Sequence, residues 1–403
     1  MLHSEWMEGL EGDCMAILGI IAEYDPFHNG HLLHLRSAVS AVNPSAVLVA
    51  LSGPFKQRGD PALLSPFARA EAALAAGADA VFSLPVCWTL RDAEHYALGA
   101  VSLLSSLGAT HLGFGAETAD LSLLRRTADL LEDPPQAMRD ALRAALSVGC
   151  GWPAAAAGAA AAVLPESREV LGHPNNIRAV CYLRAIRRLR LSLVPVVIPR
   201  SGSYHACRVD ASAPSASALR AALCRGAWSS ALPAMPAFSA SLVRSAFLSG
   251  HVPDPGKIDS LLLDKLRAMS REEVSHLPDC PEGLDAALLK AARDASSRDG
   301  VIRAVTTRRY TAARVSRLCA CALLGLTADL LRDLPLPASA LLLAVKKGPS
   351  LAGLWKDAGI SVLSASEYLG GAIPAERAAW RAWALAAGYP ASFPFTEKVV
   401  TEP

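Results

Sequence analysis

Residues 17–34 read ILGIIAEYDPFHNGHLLH, in which an apolar run, a turn and a helical pattern follow one another. The run at 17–22 is too short for a helix and is typical of a buried parallel strand. Asp25-Pro26 marks a turn. Beyond it, apolar residues recur at helical spacing, at Leu32, Leu35, Val39 and Val42. The pattern predicts a strand, a tight loop and a helix.

A His-x-Gly-His sequence, from His28 to His31, lies where this helix should begin. A helix N-terminus offers unpaired N–H groups and a partial positive charge, so it is a natural phosphate site. Two imidazoles there can donate hydrogen bonds to a phosphate, and Gly30 has no side chain to block a nucleotide. The alternative is an ordinary strand-to-helix turn that happens to contain two histidines.

The composition is that of a folded protein outside the membrane. With 403 residues, the chain is long enough for two domains and a large core. Its apolar runs fall short of the roughly 18 residues of a membrane span, and its first residues lack a secretory pattern. The nine cysteines form no C-x-x-C pair, which fits a reducing compartment and predicts no metal site. We therefore predict a cytoplasmic protein without a membrane partner.

Four further apolar runs have the length of buried strands, at 46–51, 80–84, 111–114 and 193–198. Helical patterns separate them, and this alternation indicates a parallel sheet covered on both faces. The predicted fold class is α/β, with a Rossmann-like, five-stranded parallel sheet over 15–226. Polar clusters follow the strands, at 23–31, 52–60, 113–117 and 199–205. Because such sheets bind ligands beyond the carboxyl ends of their strands, the clusters predict one nucleotide site.

The second half of the sequence is different. A Pro- and Ala-rich connector at 227–236 leads into patterns that are nearly all helical. Helices are predicted at 239–248, 257–269, 283–297, 313–324, 338–345 and 374–387. We therefore expect an all-α domain over 227–403. The Ala-rich stretch at 149–165 is left open between a helix and a loop.

The segment Glu23 to His31, EYDPFHNGH, resembles the opening motif of the tRNA(Met) cytidine acetate ligase family. That family belongs to the nucleotidyltransferase superfamily that carries His-x-Gly-His. The resemblance continues through later segments, at 52–62, 93–100, 114–117, 174–177, 200–205, 215–220 and 309–311. Two positions depart from it: Asp25 stands where the family usually has Asn, and Lys56 replaces an apolar residue. A carboxylate there should weaken phosphate binding unless a cation, Lys56 or Mg²⁺, lies against it.

The resemblance implies a reaction in which ATP activates acetate as acetyl-adenylate. The acetyl group then passes to the wobble cytidine of elongator tRNA(Met), giving N4-acetylcytidine, AMP and pyrophosphate. The partners would be tRNA, ATP and acetate, with residues 227–403 contacting the tRNA. Mg²⁺ is expected to accompany ATP while keeping most of its waters, so no protein ligand is named.

The predicted catalytic residues are His28, His31 and Arg220, because charge grows on the phosphate oxygens as acetate attacks. A bound polyphosphate would favour the charged form of the histidines. Ser217 and Arg220 are placed at the β and γ phosphates, with Arg200 as a further cation, and Gly115 with Asn175 or Asn176 near adenosine. The full ATP-binding set is Ile21, Ala22, Glu23, Tyr24, Asp25, Pro26, Phe27, His28, Asn29, Gly30, His31, Leu32, Leu33, His34, Gly115, Asn175, Asn176, Arg200 and Ser217.

Each assignment has a structural alternative. Helix capping would explain Asn175, Ser215 and Ser217. Ion pairing or solvation would explain Arg200, Arg220, Lys56 and Arg58. Glu23 is expected to tie down a loop rather than act as a base, and His95 and His111 are expected to be structural. The basic stretch at 184–190 contacts tRNA phosphates or lies on a solvated helix end.

Two other functions remain possible on sequence grounds. The His-x-Gly-His motif also occurs in adenylyltransferases that transfer AMP to a small phosphorylated metabolite. A non-catalytic nucleotide- or RNA-binding module would keep the pocket without turnover.

Overall fold

The computed structural model describes residues 15–200, 215–347, 355, 359–390 and 392–401. The resemblance at Tyr204-His205 lies outside the described residues, as does part of the predicted polar cluster at 199–205.

Five parallel strands form the centre of the fold. They are β1 (Ile17–Ala22), β2 (Ala46–Ser52), β3 (Ala80–Leu84), β4 (His111–Ala116) and β5 (Val194–Pro199). Their spatial order is β5-β4-β1-β2-β3, with each neighbouring pair parallel. The predicted α/β class and the five strands are confirmed. β1 lies in the middle, so its carboxyl end opens at the centre of the sheet edge.

Three further strands from the second half of the chain extend the sheet. They are β6 (Ser339–Val345), β7 (Ser361–Leu363) and β8 (Val400–Thr401). β6 pairs antiparallel with β3, and both β7 and β8 pair with β6, giving eight strands in the described part of the chain. The second half is therefore helical for the most part but not all-α.

The helix predicted at 338–345 is wrong, because this segment is β6. Its Ala and Leu content favours a helix by intrinsic propensity. The tertiary context overrides that preference, since β3 would otherwise present an unpaired strand edge. Ala340, Leu341, Leu343 and Ala344 are buried as a result.

Helices cover both faces of the first five strands. The open question at 149–165 is resolved as a helix over Trp152–Val163. The helices up to residue 200 are α1 (Asn29–Val42), α2 (Pro66–Ala76), α3 (Val86–Thr89), α4 (Ala93–Ser106), α5 (Leu121–Glu132), α6 (Gln136–Ser147), α7 (Trp152–Val163), α8 (Ser167–Leu171) and α9 (Pro174–Arg188).

The other predicted helices of the second half are confirmed to within a few residues. A 3-10 turn at Leu232–Ala234 joins two of the helices. The helices are α10 (Ala216–Cys224), α11 (Trp228–Ala231), α12 (Ala237–Leu248), α13 (Pro255–Ala268), α14 (Arg271–Ser275), α15 (Leu284–Asp294), α16 (Arg298–Val305), α17 (Ala312–Leu324), α18 (Ala328–Arg332), α19 (Ala365–Gly371) and α20 (Pro374–Ala386).

One hydrophobic core joins the two halves. Buried residues of β1 to β5 and of the later helices belong to the same cluster. Trp383 on α20 is fully buried, and its indole N–H donates to the carbonyl of Ala62 at 2.7 Å. The domain boundary at 226/227 stays a prediction. No helix in the described part of the chain is long and apolar enough to cross a membrane.

Candidate nucleotide site

A polar cleft opens at the carboxyl ends of β1 and β4, beside the first turns of α1, α9 and α10. Because β1 is central, segments distant in sequence meet there. Many of the predicted site residues line the cleft: Ile21, Ala22, Glu23, Tyr24, Asp25, His28, Gly30, His31, His34, Gly115, Asn175, Arg200, Ser217 and Arg220.

The two histidines of the motif form the N-terminal cap of α1. His28 is the N-cap residue, and its Nδ1 accepts from the backbone N–H of His31 at 3.3 Å. In return, Nδ1 of His31 accepts from the N–H of His28 at 3.3 Å, and the rings stack with centroids 3.5 Å apart. Because Nδ1 is the acceptor in both rings, the neutral tautomer carries its proton on Nε2. Each ring therefore keeps one donor nitrogen.

Burial keeps these histidines neutral in the ligand-free protein. Burial, reinforced by the Arg200 charge, lowers the pKa of His28 to about 3. Burial and the neighbouring His28 also lower the pKa of His31 well below its ordinary value. The predicted charged form would thus require a bound polyphosphate to offset the desolvation.

Asp25 is buried in the floor of the cleft, and cations surround it. Its Oδ1 accepts from the N–H of Leu63 at 2.7 Å, and its Oδ2 lies 3.1 Å from Nζ of Lys56. Arg220 Nη1 lies 3.7 Å from the same oxygen. Burial alone would raise the pKa of Asp25, but Lys56, Arg220 and Arg69 outweigh it and lower the pKa. The expected cation against Asp25 is therefore Lys56.

The second loop is held to the first by several polar contacts. Glu23 Oε1 accepts from the N–H of Gln57 at 2.8 Å, which confirms that Glu23 ties down this loop. Lys56 Nζ also lies 4.0 Å from Asp60, whose carboxylate pairs with Arg298 at 2.9 Å. Charges of alternating sign thus connect the cleft to α16 in the second half of the chain.

Two hydrogen bonds hold the guanidinium group of Arg220 in one orientation. Its Nη1 donates to the carbonyl of Asp25 at 2.6 Å, and its Nη2 donates to Ser217 Oγ at 3.2 Å. Ser215 caps α10 by accepting from the N–H of Ala218 at 3.2 Å. The capping interpretation therefore holds for Ser215, while Ser217 and Arg220 line the cleft together.

The opposite wall is built from β4 and α9. At Gly115 an added Cβ would lie 3.5 Å from the ring of His34 and 3.8 Å from Arg200, which are ordinary van der Waals contacts. Asn175 Nδ2 donates to Glu117 at 2.6 Å, which orients the amide at the start of α9. The assignments of Gly115 and Asn175 to adenosine stay predictions.

Some predicted residues do not line the cleft: Pro26, Phe27, Asn29, Leu32, Leu33 and Asn176. Phe27 is buried against Phe238 instead. Asn29 donates to the carbonyl of Pro233 at 3.0 Å, and Leu33 is 64% exposed. The Asn176 amide exchanges two hydrogen bonds with Thr118, at 2.9 Å each, so it stabilises the turn after β4.

On α9, two lining residues were not foreseen, Arg178 and Tyr182. They follow Asn175 on α9 by three and seven residues, so all three share one helix face. This helical spacing from Asn175 is the feature of the sequence from which both residues could have been predicted. Lys56, Arg58 and Asp60 of the second loop also line the cleft, with Ser215, Ala216 and Phe114.

The residues expected to be structural have local partners. His95 Nδ1 lies 2.6 Å from Asp92 Oδ2, and His111 Nδ1 lies 2.8 Å from Thr110 Oγ1. The basic stretch at 184–190 is largely neutralised by acidic residues of α4 and α5. Arg184 and Arg188 pair with Glu94 and Glu132, and Arg187 pairs with Asp129 and Asp133.

Comparisons with known proteins agree with this geometry. A family model described as HIGH Nucleotidyl Transferase matches residues 15–358. A tRNA(Met) cytidine acetate ligase of Kosmotoga olearia is 35% identical over 328 residues, which cover 79% of this chain and 77% of that protein. The chain belongs to this ligase family of HIGH nucleotidyl transferases. A second family member, from Syntrophotalea carbinolica, is 36% identical, with coverage of 79% and 77%.

Solved structures of the family have the same fold. The apo Thermotoga maritima TmcAL superposes with a TM-score of 0.90 at 25% identity, covering 96% of this chain and 99% of that one. The same protein bound with alpha-thio ATP superposes with a TM-score of 0.79 at 27% identity, covering 87% and 85%. The family resemblance read from the sequence is therefore confirmed.

Proposed function

We propose that this chain activates acetate with ATP and transfers the acetyl group to the wobble cytidine of elongator tRNA(Met). The observation that carries the proposal is the paired cap of His28 and His31 at the start of α1, which shares its cleft with Arg220. The names of the relatives, tRNA(Met) cytidine acetate ligase, supply the acceptor and the acyl group.

The first step joins acetate to AMP. A carboxylate oxygen of acetate attacks the α-phosphorus, and the bond to the β-bridging oxygen breaks, releasing pyrophosphate. Negative charge grows on the phosphate oxygens, so fixed donors and cations lower the barrier. Arg220 supplies a guanidinium held by the Asp25 carbonyl, and the histidines supply Nε2–H donors.

The second step transfers the acetyl group. The exocyclic N4 of cytidine attacks the carbonyl carbon of acetyl-adenylate, AMP leaves, and N4 loses one proton. A cytidine of a folded tRNA must leave its stack to reach the cleft. We assign tRNA contact to the segment 227–403, and the cytoplasm as the compartment in which tRNA, ATP and acetate meet.

Mg²⁺ would enter with the ATP phosphates. Among the described residues no group of three or more His, Cys, Asp or Glu side chains could hold a metal ion. Two of the cleft carboxylates, Asp25 and Asp60, are already paired with cations, and Glu23 accepts from the N–H of Gln57. The donor set thus fits a Mg²⁺ that is carried by the nucleotide and its waters, where it neutralises phosphate charge.

The test is incubation of the purified protein with ATP, labelled acetate and bulk tRNA. We expect AMP and pyrophosphate release that depends on acetate, and label in tRNA. His28→Ala with His31→Ala should abolish both. Pyrophosphate release only with a phosphorylated metabolite would indicate an adenylyltransferase, and ATP binding without turnover would indicate a non-catalytic module.

A further inference from the structure

One segment of the second half contains several arginines and no acidic residue. Between Asp299 and Asp329 there is no carboxylate. The segment holds Arg303, Arg308, Arg309, Arg314 and Arg317. We call residues 303–314 the arginine loop. It joins α16 to α17 and includes the first turn of α17.

The arginine loop is held in one conformation by its own hydrogen bonds. The N–H of Thr307 donates to the carbonyl of Tyr310 at 2.9 Å, and the N–H of Tyr310 donates to Thr307 Oγ1 at 3.0 Å. Arg309 and Arg314 lie over the Tyr310 ring at 5.5 and 5.7 Å. The guanidinium groups are therefore presented on a preformed support, which reduces the entropy cost of binding.

Three of the four arginines of the loop face solvent, whereas Arg314 is half-buried and donates to the carbonyl of Asp279. Arg303, Arg308 and Arg309 are exposed, and within the described ranges none of them lies within 4 Å of a carboxylate. The stretch at 184–190 differs, since Arg184, Arg187 and Arg188 all pair with acidic residues. Of these two basic stretches of the described chain, the arginine loop can offer its charge to an anionic partner without first breaking such ion pairs.

An exposed aromatic side chain lies beside the loop. Trp152 begins α7 and is 61% exposed. Its neighbour Gly151 approaches the loop so closely that an added Cβ would lie 3.2 Å from the carbonyl of Arg308. An indole next to arginines is the combination on which unstacked bases and their phosphates bind.

The loop is also connected to the candidate nucleotide site. Ser316 on α17 donates to the carbonyl of Arg58 at 2.5 Å, and Arg298 donates to the carbonyl of Gly59 at 3.2 Å. Arg58 lines the cleft. From Ala312 to Ser316 the helix advances only about 6 Å, so the α17 end of the arginine loop lies close to the second loop, which lines the cleft.

We propose that the arginine loop and Trp152 form the docking surface for a single-stranded RNA loop whose target base enters the neighbouring cleft. The arginines bind phosphates, and the indole stacks on a base that flanks the target. This surface rests on the proposed function for the identity of the RNA, but its binding can be measured without turnover.

The test measures binding of an elongator tRNA(Met) transcript to the full chain over a range of salt concentrations. Arg308→Ala with Arg309→Ala should weaken binding roughly tenfold to a hundredfold. The plot of log association constant against log salt should also become less steep, its negative slope decreasing in magnitude by about 2. Trp152→Ala should weaken binding roughly tenfold with the slope unchanged, because stacking releases no counterions. Arg308→Lys with Arg309→Lys should keep the slope.

The matched control is Arg187→Ala with Arg188→Ala, which removes two arginines that are already paired; its binding should stay within about twofold. The proposal is overturned if the loop variants bind as tightly as the unaltered chain, or if the control loses as much. Equal affinity for a fully double-stranded RNA would also overturn it. Thermal unfolding of each variant shows that it is folded. If the unaltered chain binds tRNA through this loop but adds no acetyl group, only the proposed function fails.

Discussion

Asp25 and Glu376 are two carboxylates that are each only 1% exposed, yet their surroundings are opposite. Asp25 has Lys56 at 3.1 Å and Arg220 at 3.7 Å. Glu376 accepts from the N–H of Val86 at 2.6 Å and from the indole of Trp380 at 3.2 Å. Within the described part of the chain, no Lys, Arg or His lies within 4 Å of it.

The charge state follows from these partners. Burial raises the pKa of Glu376 to about 7, and its two hydrogen bonds offset this only in part. Burial acts on Asp25 in the same direction, but the cations win and its pKa is lowered. A buried carboxylate is thus ionised in the cleft, where it orients cations. In the core, where Glu376 joins α20 to α3, it is about half protonated near pH 7. Burial alone does not identify a functional acid.

The largest effect is expected from Lys56→Leu. It leaves the Asp25 carboxylate buried without its nearest cation, and such broken pairs cost about 3–5 kcal/mol. The free energy of unfolding, measured with urea at pH 7, should fall by that amount. Adding Asp25→Asn should restore most of it, because the uncompensated charge is gone. Equal stability of the single and double variants would show that the ion pair does not control this region.

Glu376 should make stability depend on pH in the opposite sense to Asp25. Its folded pKa of about 7 exceeds the unfolded value near 4.5, so the unfolded chain ionises first as pH rises. Between those pH values the free energy of unfolding should fall by on the order of 3 kcal/mol. The stability of Glu376→Gln relative to the unaltered chain should therefore improve over this window. A difference independent of pH would mean that Glu376 is ionised throughout.

Arg187→Ala tests whether an ion pair that is not buried contributes to the free energy of unfolding. Arg187 pairs with Asp129 at 2.7 Å, but its side chain is 45% exposed. Exposed pairs contribute about 0–1 kcal/mol, so the urea midpoint at pH 7 should hardly move. A loss comparable with that of Lys56→Leu would contradict the importance given to burial.

The smallest change is expected at His28, whose lowered pKa keeps it neutral. NMR shifts of its imidazole should stay constant from pH 7.5 to 5. In the urea-unfolded chain the same ring should titrate near 6.5, as free imidazoles do. A midpoint near 6.5 in the folded chain would show that the cap leaves His28 accessible to water.

The sequence predicted the sheet of the first half because strand and helix periodicities alternate there without ambiguity. It also brought His28, Asn175 and Arg220 to one sheet edge, since strand order places all carboxyl ends together. β6 was missed because its Ala- and Leu-rich sequence suits a helix, and only the open edge of β3 makes it a strand. Partners such as Glu117 for Asn175 depend on side-chain geometry that spacing does not encode.

The central claim is the acetylation of a tRNA cytidine, and mass spectrometry of tRNA nucleosides tests it most directly. Unmodified elongator tRNA(Met) is incubated with the protein, ATP and acetate, then digested and compared with reactions that lack ATP or acetate. We predict N4-acetylcytidine at the wobble position only in the complete reaction. Cytidine that stays unmodified while the folded protein binds ATP would contradict the account.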